Sequence, residues 1–133
     1  MKISKNNFYA LLASILLFSF CNNDNGDGDA AQAEKISASA LMQKFETNLD
    51  KAQKKYLGKA VQIDGEILEI SNNSLGNIVF GIKTKNKSGA QILCNMLADD
   101  MKYEPGDKVV IKGFCQDYKF NLLLDKCITV SED

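Results

Sequence analysis

The chain has 133 residues, with 16 basic side chains, 17 acidic ones and no histidine; every basic residue is lysine, and tryptophan is absent. Without histidine, Ser-His-Asp and Cys-His catalysis and histidine-containing zinc sites are excluded within this chain. Without arginine and tryptophan it also lacks the bidentate phosphate reader and the largest stacking platform.

Residues 1–20 have the form of an export signal. Lys2 and Lys5 charge its start, and an apolar stretch of about 13 residues follows from Phe8 to Phe20, too short to span a membrane comfortably. It stops at Cys21, which reads as the lipidation site of a bacterial lipoprotein. Phe20 is bulky where a small residue is usual, so an ordinary secretory cut elsewhere and a retained anchor helix are the alternatives. Residues 21–35 begin with Asn22, Asn23, Asp24, Asn25, Gly26, Asp27, Gly28 and Asp29, the composition of a flexible, solvated tether. Acid soon after the modified cysteine also resembles signals that carry some Gram-negative lipoproteins to the outer face of the outer membrane. Removing residues 1–20 leaves about −3 formal charge. The remaining 36–130 suits one small domain.

Ser37 and Ser39 are good N-caps, and Leu41, Phe45, Leu49, Ala52 and Tyr56 recur at spacings of three and four. This predicts an amphipathic helix over 38–56, stopped by Gly58. The period then becomes two. Val61, Ile63, Gly65 and Ile67 share one face of a first strand, Ile78, Phe80 and Ile82 of a second, and Ile92, Cys94 and Met96 of a third. Residues 108–115 align Val109, Ile111 and Gly113, and 121–130 form an apolar-rich final strand. Turns fall at Asn72, Asn73 and Gly76, at 84–89, and at Pro105, Gly106 and Asp107. A short helix is expected over 97–103, and Gly65 marks a bend in a coiled barrel strand. The expected fold is all-β with helical additions: a five-stranded OB-type Greek-key barrel preceded by the amphipathic helix.

Lys55-Tyr56-Leu57-Gly58-Lys59, Asp64-Gly65, Pro105-Gly106-Asp107, Gly113 to Cys115 and Leu124 to Cys127 together resemble the tRNA_anti-like family of OB-fold lipoproteins, over about residues 36–130. The resemblance implies an OB fold and often an exported location. The family's name reflects fold likeness to anticodon-binding domains and does not by itself imply tRNA binding.

With Cys21 assigned to lipid, Cys94, Cys115 and Cys127 can close one bridge in an oxidising compartment. Cys115 with Cys127 across the last hairpin is favoured, and Cys94 with Cys115 is the alternative. A symmetric hairpin centred on Lys119 would place Cys115 opposite Leu123, so the favoured bridge requires a stagger or bulge. Three thiolates without a fourth ligand make a poor zinc site, and no metal or cofactor is expected.

OB domains that hold oligomers use the face of their second and third strands with the flanking loops. Here that gives Lys83, Asn95, Tyr118, Lys119 and Phe120 as ligand-binding candidates. Tyr118 and Phe120 bracket a cation, the composition of a base-stacking loop, or else they cap the barrel end. Asp117 offsets the charge and the face adds only Lys83, too little for a polyanion at physiological salt. Nucleic acid is therefore not the expected partner. The expectation is a non-enzymatic, lipid-anchored envelope module that contacts a protein or small ligand. An oligonucleotide- or oligosaccharide-binding domain and a structural envelope lipoprotein are the alternatives.

Overall fold

A computed structural model describes residues 33–86, 88–98 and 102–131. Eight elements follow in order: β1 (Glu34–Ser37), α1 (Ala38–Thr47), α2 (Leu49–Tyr56), β2 (Ala60–Asn72), β3 (Ile78–Ile82), β4 (Ile92–Met96), β5 (Lys108–Tyr118) and β6 (Leu122–Thr129). Among the described residues no helix is long and apolar enough to cross a membrane. The proposed leader, Cys21 and most of the tether lie outside the described residues.

Strands β2 to β6 close on themselves. The order is β1-β2-β3-β4-β6-β5, and β2 also pairs with β5, which joins the two edges into a five-stranded barrel of the expected OB type. β2 does double duty because it bends. Its first half pairs with β5, Ala60 opposite Phe114 through Glu66 opposite Lys108, whereas its second half pairs with β3 from Ile67 to Asn72. Gly65 sits at the change of partner. A Cβ there would lie 2.6 Å from Ile82 Cγ2 and 3.2 Å from Ala38 Cβ, so the close approach of β3 and α1 requires glycine.

The tether boundary needs a correction: Glu34 and Lys35, placed in the flexible segment, belong to β1. That strand runs parallel to β2, Glu34 opposite Val61 and Ser37 opposite Asp64, and fills the edge that the bent β2 leaves open.

The single helix over 38–56 is also corrected, to two helices. Ser37 caps α1 by accepting from the Ala40 amide at 3.1 Å. Ser39 instead accepts from the Lys85 amide at 3.1 Å, pinning a distant loop to the helix. Asn48 leaves helical geometry at φ −152° and ψ 87°, and its side chain caps α2 by accepting from the Lys51 amide at 3.2 Å. The break resets the helical phase. Leu41, Phe45, Ala52 and Tyr56 remain buried as the spacing predicts, joined by Ala38 and Met42, but Leu49 is 42 % exposed.

Residues 97–103 do not form the short helix expected there: Leu97 and Ala98 make a bend, Lys102 begins a turn, and 99–101 lie outside the described residues. Leu97 and Ala98 are exposed and give a helix nothing to bury. Tyr103 beyond the bend packs edge-on to the buried Phe80 ring, centroids 6.0 Å apart.

The core combines Phe45, Leu41 and Met42 from α1 with Ile63, Ile67, Phe80, Ile82, Ile92, Ile111, Leu122 and Leu124 from the barrel, each no more than 1 % exposed. No charged side chain is buried among the described residues.

A candidate groove on the barrel face

The pleat decides which residues line the outer face. Phe80 pairs with Cys94 and Ile82 with Ile92 inside the barrel, so the alternate pairs, Val79 with Asn95 and Gly81 with Leu93, point outward. Leu93 in turn lies opposite Leu123 of β6, and Glu69 of β2 lies opposite Gly81. These side chains form a shallow strip across four strands, with Leu93 and Leu123 as its apolar floor.

Each end of the strip has its own polar lining. At one end, Asn73 Nδ2 donates to Asn95 Oδ1 at 3.5 Å, while Asn73 Oδ1 accepts from the Leu75 and Asn77 amides at 2.9 and 3.0 Å. The turn residue thus links the 73–77 loop to the groove. At the other end, Gln91 Nε2 donates to Glu69 Oε2 at 2.9 Å, and the amide lies across Gly81. A Cβ on Gly81 would come within van der Waals overlap of Gln91 Oε1, 2.1 Å away, so that strand glycine makes room for the bridge. Gln91 Oε1 is buried without a hydrogen-bond partner among the described residues.

The five ligand candidates do not form one cluster. Lys83 leaves the end of β3, its amide donating to Glu66 O at 2.9 Å, beside the end of β4 where the β5–β6 hairpin docks. That docking is direct: Asn121 Oδ1 accepts from the Gln91 amide at 2.9 Å, and the Leu122 amide donates to Gln91 O at 3.1 Å. Lys83, Lys119 and Phe120 therefore belong to one end. Asn95 stands at the other, four residues along β4 from Gln91, or about 13 Å at strand rise.

Tyr118 is removed from the stacking candidates. Its ring stacks on Phe45 with centroids 5.2 Å apart and planes 28° apart, and Phe45 meets Tyr56 at 6.0 Å. Tyr118 plugs the barrel end under α1, as the capping alternative requires, while Phe120 is 54 % exposed and does not. Lys119 is 84 % exposed and 4.0 Å from Asp117 Oδ2. Sequence reasoning passed over Glu69, while Asn73 fell within the 71–77 loop expected to flank the face. The signal for Glu69 was Gly81 itself, since glycine inside a strand marks a close neighbour.

The three domain cysteines stand as free, buried thiols, in place of the expected Cys115–Cys127 bridge. The register gives the reason. A bulge at Gln116 sets Cys115 opposite Leu124, and a second irregularity, with Lys126 at φ 54°, carries Cys127 along β6 to lie opposite Met96. Cys127 lies beside Cys94, and that neighbour together with burial pushes the Cys94 thiol well up. Burial, with Cys127 next to it, pushes the Cys115 thiol up from 9.0 to about 12.

Two results follow for the thiols. At pH 8 a pKa near 12 leaves on the order of one Cys115 in 10⁴ as thiolate, so alkylation by iodoacetamide should be negligible in the native domain and rapid in urea. Above about pH 9 the unfolded chain ionises thiols that the native state keeps protonated, so stability should fall as pH rises toward 12. Tyr56 and Tyr118, both held above their ordinary value chiefly by burial, add to the decline. Urea midpoints at pH 7, 9 and 10.5 measure it, and a midpoint that rises would overturn the assignment.

Another concavity, of about 480 Å³, lies away from the groove and is lined by Asp64, Glu66, Tyr103, Lys108, Val109 and Ser131 among others. It contains none of the expected ligand residues.

A closed five-stranded barrel with β1 and two helices on it is a domain of OB type, and the strip across β2, β3, β4 and β6 is its candidate binding face. The tRNA_anti-like family profile matches residues 1–128, and the chain belongs to that family. Among solved structures it is similar to a Klebsiella pneumoniae protein provisionally described as a nucleic acid-binding lipoprotein. That likeness has 22 % identity and a TM-score of 0.58, and covers 81 % of this chain and 100 % of the other. No curated protein matches the chain.

Proposed function

We propose that this chain is an exported, lipid-anchored binding module of the bacterial envelope, without catalytic activity, whose barrel groove holds a protein segment or a small polar ligand. The leader pattern ending at Cys21 supports the address, as does the lipoprotein description of the Klebsiella neighbour. An acidic tract after the lipidated cysteine favours the outer membrane.

One observation carries the ligand class. The polar element at the Lys83 end of the groove is the Gln91–Glu69 bridge, a carboxylate held by an amide, beside the apolar floor of Leu93 and Leu123. A carboxylate there repels phosphates and welcomes donors, and among the described residues the cations beside the groove are Lys83 and Lys119 at one end.

Metabolic labelling with a fatty acid should mark the wild type and leave Cys21→Ala unlabelled; equal labelling of both sinks the anchor. A photo-crosslinking residue in place of Leu93 should give a discrete adduct in intact cells that the same residue at Lys112 does not. No adduct, or the same adduct from both positions, would remove the groove as the binding face.

Oligonucleotide binding is the second reading, favoured by the description of the Klebsiella neighbour and by exposed Lys119 and Phe120. It requires salt-sensitive affinity for a single-stranded oligonucleotide, reduced in Lys83→Ala and Phe120→Ala.

A further inference from the structure

The break between α1 and α2 shapes a cleft that the groove does not use. About 250 Å³ in volume, it is lined by Lys44, Thr47, Asn48, Lys51, Ala52, Lys55 and Tyr56. Lys51 and Lys55, four apart on α2, share one side of that helix, and Lys44 of α1 lines the same cleft from across the break at Asn48. Ala52 and Tyr56 are buried beneath them, while the three lysines are exposed. Lys55 Nζ lies 3.6 Å from Glu34 Oε1 and 5.2 Å from the Tyr56 ring centroid, and Tyr56 Oη donates to Glu34 Oε2 at 3.2 Å. Glu34 thus offsets one of the three charges. Lys44 and Lys51 have no carboxylate within 4.0 Å among the described residues.

Glu34 also locates the cleft. It begins β1, and only twelve residues, Asn22 to Ala33, separate it from Cys21. Twelve residues span about 20 Å on average as a flexible chain, and about 40 Å at full extension. The chain thus enters the domain beside the lysines, at a point within about 40 Å of Cys21.

We propose that the Lys44–Lys51–Lys55 cleft is a membrane-docking surface that takes the phosphate groups of anionic lipids and seats the tethered domain on the bilayer by its helical corner. This rests on the lipid anchor at Cys21. A lysine at an anionic surface contributes about 1 kcal/mol, too little alone for a chain of net negative charge. Tethering makes the encounter intramolecular, so two or three such contacts suffice.

The test uses the lipidated mature protein in phosphatidylcholine vesicles with and without 30 % phosphatidylglycerol. Lysines are acylated briefly with a water-soluble reagent and read by mass spectrometry. Lys44 and Lys51 should be acylated at least threefold more slowly in the anionic vesicles. Lys108 and Lys112 on β5 should be unchanged, and 0.5 M NaCl should abolish the protection. Lys44→Gln/Lys51→Gln should leave flotation intact and restore Lys55 acylation to its rate in neutral vesicles. Protein that fails to float removes the anchor and the docking with it. Protein that floats while Lys44 and Lys51 react equally in both vesicle types retains the anchor and overturns the docking. Equal protection in both types places something other than lipid in the cleft and overturns it too, as does protection by inorganic phosphate in neutral vesicles.

Discussion

Phe45→Ala is expected to lower the domain's stability by about 3 to 5 kcal/mol, or roughly 15 to 25 °C in melting temperature. Phe45 is 1 % exposed and touches both neighbouring rings, Tyr56 at the end of α2 and Tyr118 at the tip of β5. Its removal leaves a cavity that these rings can close only by breaking the Tyr56 contact with Glu34 or by lifting the hairpin. Since whole domains are stable by only about 5 to 15 kcal/mol, the variant should sit near its unfolding threshold at 37 °C. Thermal melts followed by circular dichroism provide the measurement, with Phe45→Leu as a control expected to lose much less. A Phe45→Ala protein that melts within a few degrees of wild type would mean that the helices do not help to close the barrel. The same substitution should raise amide exchange at Tyr118 to Asn121, because the ring that anchors the hairpin has gone.

Gly113→Ala is the second large effect, expected to destabilise by about 1 to 3 kcal/mol through overpacking. A Cβ at this position would stand 2.5 Å from Cys127 Sγ and 3.2 Å from the backbone oxygen of Asp125. The sulfur is the removable part of the obstacle. Cys127→Ala alone should also destabilise, since it opens a small void in a buried site. The double variant Gly113→Ala/Cys127→Ala should then recover part of the loss, with a coupling energy of about 0.5 to 3 kcal/mol in urea titrations. Strict additivity of the two single effects would contradict the contact. A bridge between Cys127 and another thiol would also be detected, because the wild type would then yield fewer free thiols in urea than Cys127→Ala predicts.

Much of the barrel was legible along the chain. Ile78, Phe80 and Ile82 alternate with smaller residues, and so do Ile92, Cys94 and Met96, because a strand with one buried face must repeat every second residue. Ser37 caps a helix in the chain as it does in peptides, through its own hydroxyl. The break at Asn48 was less visible: asparagine is tolerated inside helices, and here the burial of Tyr56 against Phe45 makes it a cap. β1 was hidden because Glu34 to Ser37 has no apolar alternation, and its strand geometry comes from the open edge of β2.

The candidate site was legible only in part. Lys83, Asn95, Lys119 and Phe120 lie on or beside the groove, but at two separate ends, and Tyr118 is spent on Phe45. A loop that reads Tyr-Lys-Phe has the same composition whether its rings face solvent or plug a barrel. The bridge of Gln91 to Glu69 joins residues 22 apart in sequence, and its existence depends on Gly81 passing between them.

What the sequence by itself determined is local: the strand period, the turns at Asn73 and Gly106, the cap at Ser37, and a chemistry without histidine or arginine. Backbone geometry and side-chain type suffice for these. The tertiary structure alone decided the register, and with it the separation of Cys115 from Cys127, the contact of Cys127 with Cys94, the division of the groove into two ends and the lysine cleft beside Glu34. A one-residue bulge moves every later side chain relative to its neighbours across the strand, and the packing that selects that bulge comes from residues far away in the chain.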